Sequence, residues 1–88
     1  FPAIKLITAM NARKSAPIII NASNEIFVNQ FLMNNIDFND ISIYLNLVLK
    51  DIDYIKTSNM LCNNINNIYK IDNWARILAH KIIKKHKH

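Results

Sequence analysis

Glycine is missing from all 88 residues, and cysteine occurs once, tryptophan once and proline twice. Each shortage excludes something. Without Gly, backbone positions that need a positive φ fall to Asn, which tolerates that conformation better than other side-chain-bearing residues. Asn34-Asn35, Asn63-Asn64 and Asn66-Asn67 are therefore expected to make the turns. A lone Cys62 excludes an intramolecular disulfide and a Cys-based zinc site, and fits a reducing compartment. No apolar run approaches the roughly 20 residues that cross a bilayer, although hydrophobic residues make up 51% of the chain. A soluble protein is the expectation. Phe1-Pro2 does not open a basic stretch leading into a long apolar one, and the chain does not begin with Met, so no signal peptide is visible and a fragment of a longer protein is expected. This length suits one domain with a modest core, and is too short for a cofactor domain plus a catalytic domain.

What is abundant is Asn, 14 residues, and Ile, 17 residues. The skew matches AT-rich codon usage and says little about function. Because the Asn residues are interleaved with regular apolar positions, they do not form a prion-like tract. The net charge of +5 is unevenly placed. Residues 1–70 hold six basic and five acidic groups, a net of +1, and residues 71–88 hold five basic and one acidic, a net of +4.

Periodicity predicts helices. Pro2 suits a first helical position, and Ile4, Ile7 and Met10 mark a helix over Phe1–Met10. Pro17 disfavours helical geometry at Ala16, and Ile18–Ile20, too short for periodicity to decide between an extended approach and a first buried turn, reads first as extended. Asn21 then serves as the N-cap of a helix over Ala22–Asn34, with Glu25 in its first turn and Phe27, Val28, Phe31 and Leu32 on its core face. Asn39 caps a third helix carrying Ile41, Tyr44, Leu45, Val48 and Ile52. Asp53–Asn59 is a connection, and Met60–Ile68 a short, poorly anchored helix. Asp72 caps a last helix whose Ile71, Trp74, Ala75, Leu78 and Ile82 share a face, with Arg76, Lys81 and Lys84-Lys85 pointing away or lying near its end. With no alternating strand pattern and no repeat, the expected fold is all-α: a small antiparallel bundle of about four helices.

Chemistry is sparse. His80, His86 and His88 have no Asp, Glu or Cys at ligand spacing and do not make a metal site. The Lys84–His88 tail could meet a polyanion, but it lacks an aromatic platform or a DNA-reading motif and reads first as a solvated helix end. Asp37, Asp40, Asp51 and Asp53 stand beside no Ser, Cys or His that they could orient. Asn21-Ala22-Ser23 matches a glycosylation spacing with nothing else to suggest secretion. No catalytic, cofactor-binding or metal residue emerges.

The order of motifs is more informative. Phe1-Pro2 followed by Leu6, then Ala16-Pro17, Asn21-Ala22-Ser23-Asn24-Glu25, Val28, Phe31-Leu32, Ile36, Phe38, Asp40-Ile41, Val48-Leu49 and Asp72-x-x-Ala75-Arg76 run in sequence. That series resembles the C-terminal domain of the deoxyxylulose-phosphate reductoisomerases, with Asn21–Glu25 resembling the family's Asn-Ala-Ala-Asn-Glu segment. Three departures stand out: Asn34 or Asn35 where the family usually has Gly, Phe27 where a small residue is typical, and Asp37 where a basic residue is common. The resemblance implies a parent enzyme of non-mevalonate isoprenoid biosynthesis that makes 2-C-methyl-D-erythritol 4-phosphate, using NADPH and a divalent metal (Mg or Mn), commonly as a homodimer. Its NADPH-binding and catalytic domains would precede Phe1, with residues 1–88 as a helical domain inactive alone. It further implies that the bundle packs on the catalytic domain, with Asn21, Asn24 and Glu25 as contact residues, and that neither nucleic acid nor membrane is a partner. A bacterial cytoplasm is expected, with a plastid or apicoplast as the alternative. An independent basic helical module binding nucleic acid or a protein partner is the competing reading.

Overall fold

Four helices make up residues 14–86, the part described by a computed structural model: α1 (Ala16–Leu32), α2 (Phe38–Leu49), α3 (Tyr54–Ser58) and α4 (Ile65–His86). Among the described residues there is no strand, and the all-α bundle is as expected. The helix expected over Phe1–Met10 lies outside the described residues, as does His88.

The first described helix starts a turn and a half earlier than expected. Ile18–Ile20 is helical, Ser15 stands at the N-cap position, and Asn21 lies inside α1 and caps nothing. Pro17 occupies the first turn, where its missing N–H has no helical partner to lose. Packing overrides the bias that Pro17 imposes on Ala16, because Ala16 is fully buried and Ser15 is held from two sides. The Ser15 N–H donates to the Ser58 carbonyl at 2.8 Å, and its hydroxyl donates to the Met60 carbonyl. The buried stripe of α1 is Ala16, Ile19, Ile20, Ser23 and Phe27, spaced i, i+3, i+4, i+7, i+11. Leu32, expected in the core, is exposed, and Phe31 is half-buried with its ring 5.6 Å from that of Phe38.

Asn34 does take the turn that Gly would otherwise take, with φ of 61°. The Asn34 N–H donates to the Phe31 carbonyl and the Asn35 N–H to the Gln30 carbonyl, both at 2.9 Å, which closes α1 in a Schellman motif. The Asn35 side chain adds a 2.8 Å bond to Gln30 Oε1. Asp37, not Asn39, is the cap of α2, and the Asp40 carboxylate accepts the Asp37 N–H at 2.9 Å in capping-box fashion. Ile52 falls beyond the end of α2 and is exposed, and the expected connection Asp53–Asn59 contains the short α3.

Residues 59–64 are not helical, which corrects the helix expected from Met60. The last helix begins at Ile65, where Asn64 Oδ1 accepts the Asn67 N–H at 2.9 Å as a side-chain cap. Asn66-Asn67 is thus helical instead of a turn, and Asp72 lies within α4 instead of capping it. Its core face is Ile71, Ala75, Ala79, Ile82 and Ile83.

Three contacts show that α1 and α4 run in the same direction. Lys14, just before α1, accepts a bond from Cys62 just before α4, with sulfur to oxygen at 3.7 Å. Glu25 meets Arg76 midway. Asn34 and Asn35 lie with His86 at the far end. The second helix returns in the opposite direction against both, with Tyr44 beside Phe27 (ring centroids 5.6 Å) and His86 (6.0 Å). Phe27, Ile19, Val48 and Ile71 are the fully buried centre, each side chain contributing roughly 1.5–3 kcal/mol by leaving water.

Candidate functional site

The polar cluster of α1 and the start of the Asp72-x-x-Ala75-Arg76 segment of α4 come together across the bundle. Helical spacing puts Asn21 and Glu25 on one side of α1, both exposed, with Asn24 beside them half-buried. On α4, Asp72 and Arg76 are one turn apart. Arg76 Nε donates to Asp72 Oδ1 at 2.6 Å, and Arg76 Nη1 donates to Glu25 Oε1 at 3.2 Å. Arg76 was expected to point away; it bridges the two helices instead. Its i, i+4 spacing from Asp72 was legible in the sequence, whereas the reach to Glu25, 51 residues away, was not.

The hydrogen bonds to Asp72 and then to Glu25 hold the Arg76 guanidinium more firmly protonated than usual. All three side chains are partly in water, so the energetic return is small: about 0.3–0.5 kcal/mol for the helical pair and under about 1 kcal/mol for the cross-helix pair. The planar fork of Arg, which can serve two carboxylates at once, sets geometry more than stability here.

Between the outward Asn21 and Glu25, Ser23 turns inward. It is 0% exposed, and its hydroxyl oxygen has no hydrogen-bond partner among the described residues. A methyl suits the stripe, and the hydroxyl is a local misfit.

A concavity of about 210 Å³ lies where α1 ends, α2 begins and α4 ends. Asn34, Asp37, Asp40, Tyr44 and His86 line it. Burial, followed by the negative charges of Asp40 and Asp37, holds the Tyr44 hydroxyl above the ordinary phenol range. The described residues contain no group of three or more His, Cys, Asp or Glu that could hold a metal. His80 is exposed, His86 packs on Tyr44, and Asp51 and Asp53 only brace a turn through the 2.9 Å bond from the Asp53 N–H to Asp51 Oδ1. Nothing in this donor set fits a divalent cation. No helix among the described residues is long and apolar enough to cross a membrane.

Comparison with known proteins gives the arrangement its context. The profile of the DXP reductoisomerase C-terminal domain matches residues 1–78. A 1-deoxy-D-xylulose 5-phosphate reductoisomerase of Prochlorococcus marinus subsp. pastoris is 39% identical over 77 residues, covering 81% of this chain and 17% of the relative. The apicoplastic enzyme of that name from Plasmodium falciparum is 37% identical over 87 residues, 98% of this chain and 18% of the relative. That of Wolbachia pipientis wMel is 36% identical over 93 aligned residues, 96% of this chain and 21% of the relative. The chain thus spans about a fifth of the length of these curated relatives, which come from bacteria and an apicoplast. No solved structure gives a significant match. With its described residues forming a helical bundle in which Glu25 and Asp72 are joined through Arg76, and with the family profile matched over residues 1–78, this chain belongs to the DXP reductoisomerase C-terminal domain family.

Proposed function

We propose that this chain is the C-terminal structural domain of an enzyme that rearranges and reduces 1-deoxy-D-xylulose 5-phosphate to 2-C-methyl-D-erythritol 4-phosphate, in non-mevalonate isoprenoid biosynthesis. The observation that carries the reading is the family match over residues 1–78, supported by 37% identity across 98% of the chain to the apicoplastic relative. NADPH and a divalent metal, Mg or Mn, belong in this reading to the chain preceding Phe1. The bundle's task is to pack against that catalytic part and hold its geometry, within a homodimeric parent. Asn21, Asn24 and Glu25 are proposed contact residues: Asn21 and Glu25 are exposed on α1, and Arg76, itself bonded to Asp72, holds the Glu25 carboxylate in place. The compartment in this reading is a bacterial cytoplasm, with the apicoplast as the alternative.

The test is turnover of the full-length protein. Purified enzyme given 1-deoxy-D-xylulose 5-phosphate, NADPH and Mg or Mn should consume NADPH, followed at 340 nm, and residues 1–88 alone should not. Substrate-dependent oxidation by the 88 residues, or none by the full-length protein, would overturn the assignment. For the contact residues, Asn24→Ala and Glu25→Gln in the full-length enzyme should lower turnover or melting temperature. If both stay at the wild-type values, these residues are not an interdomain contact.

A further inference from the structure

The last helix is longer than its partner needs. With 22 residues at about 1.5 Å each it runs about 33 Å, against about 26 Å for the 17 residues of α1. Its first turns are the less buried end. Every buried residue of α4 lies at Ile71 or beyond, and nothing from Ile65 to Lys70 is buried.

That unburied stretch is amphipathic. Ile65 is 81% exposed, Tyr69 74% and Ile68 40%, and Leu61, just ahead of the helix, is 52% exposed. Ile65, Tyr69, Asp72 and Arg76 follow one another at i, i+4, i+7, i+11, so they share one side of α4. The two apolar side chains therefore continue the line of Asp72 and Arg76, of which Arg76 pairs with Glu25 of α1. Asn66, Asn67 and Lys70 occupy the remainder of the turn. Large apolar groups collected on one side of a helix and rimmed by polar ones mark a contact surface.

The position of the chain identifies what covers it. Lys14, where the described residues begin, is tied to Cys62, and Ser15 to Ser58 and Met60, so the polypeptide arrives beside the start of α4. About four-fifths of the length of the relatives lies outside the match. Whatever the conformation between Phe1 and Lys14, 13 residue steps reach at most about 45 Å. In the reading of this chain as a C-terminal domain, the preceding part is tethered within that radius of Lys14, close to the start of α4, where a contact is intramolecular and favoured over the same contact in trans.

We infer that the apolar start of α4, Ile65, Ile68 and Tyr69 together with Leu61, is where the part of the enzyme preceding Phe1 docks, adjoining the polar contact at Asn21 and Glu25. The inference rests on the reading of this chain as a C-terminal domain. The face is apolar, so the surface that meets it is an apolar patch on the preceding part of the same polypeptide.

A photo-crosslinker tests it in purified full-length enzyme, with Tyr69→p-benzoylphenylalanine as probe and Phe38→p-benzoylphenylalanine as control. Both sites are exposed aromatics, so the substitutions are mild, and Phe38 lies at the opposite end of α1. After irradiation and peptide mapping, adducts from position 69 should fall on residues preceding Phe1 of the same chain, with none of these from position 38. Adducts confined to residues 1–13, no adduct from position 69, or equal capture of the preceding chain from both positions would each overturn the inference. So would capture of a second copy, which mixed isotopically light and heavy chains reveal. NADPH turnover of the unmodified enzyme is read separately. Loss of that activity would count against the proposed reaction, whereas the adduct map alone judges the docking face.

Discussion

Ser23→Ala should stabilise this protein, which is the opposite of what a point substitution ordinarily does. The Ser23 side chain is fully buried in the stripe of α1 and its oxygen finds no partner among the described residues. A buried hydroxyl without a hydrogen bond is unfavourable by about 1–3 kcal/mol relative to a hydrated one. Ala is also the better helix former, by up to about 0.7 kcal/mol. Against these gains stands the void left by one oxygen, a few tenths of a kcal/mol at about 24 cal/mol per Å³. The net expectation is a gain of about 1 kcal/mol or more, or about 4–8 °C in melting temperature per kcal/mol for a domain of this size. Guanidinium unfolding followed by circular dichroism at 222 nm should move to a higher midpoint with an unchanged slope, so that the change is one of stability and not of compactness. A midpoint equal to or below wild type would show that the hydroxyl is satisfied, and would remove the view of Ser23 as a misfit.

Three other outcomes follow from the packing and the charges. Phe27→Ala empties the centre of the core and breaks the 5.6 Å ring pair with Tyr44, so a loss of about 3–5 kcal/mol is expected in the same unfolding assay; a loss below about 1 kcal/mol would mean that Phe27 is not the core residue its burial indicates. At the end of α1, where Asn34 has φ of 61°, Asn34→Ala should cost about 1 kcal/mol while Asn34→Gly stays within a few tenths of wild type; equal losses would refute a backbone origin. Burial and the charges of Asp40 and Asp37 raise the Tyr44 hydroxyl above its ordinary value. The folded chain therefore keeps a proton that the unfolded chain releases near pH 10, so the contribution is intact below about pH 10 and declines as pH rises past it. Urea midpoints across that range should fall less steeply in Tyr44→Phe, and identical slopes would exclude this origin.

Much of the fold was legible in the residues. Tyr44, Leu45 and Val48, spaced i, i+1, i+4, are the buried face of α2, and Ile71, Ala75 and Ile82 that of α4, because burial needs apolar groups on one side of a helix. Asn34 at the Gly-like turn was legible too, since few other residues accept a positive φ. The boundaries were less so. Asn21 and Asp72 have the chemistry of caps but lie inside helices, because helix ends are set by where burial stops. Asn21, Ser23 and Asn24 also interrupted the α1 stripe and hid its continuity from Ala16 to Phe27.

Helical class, apolar faces, turn-forming Asn residues and, through ordered motifs, the family are all legible in the residues alone. Those properties reside in local spacing and side-chain type. Packing made Ile18–Ile20 helical, since a three-residue β-branched run becomes helix or strand according to what buries it. It also joined Glu25 to Arg76 across 51 positions and left Ile65 and Tyr69 uncovered. Which helices lie side by side, and where one outlasts the other, is a property of packing between distant segments that no local pattern contains.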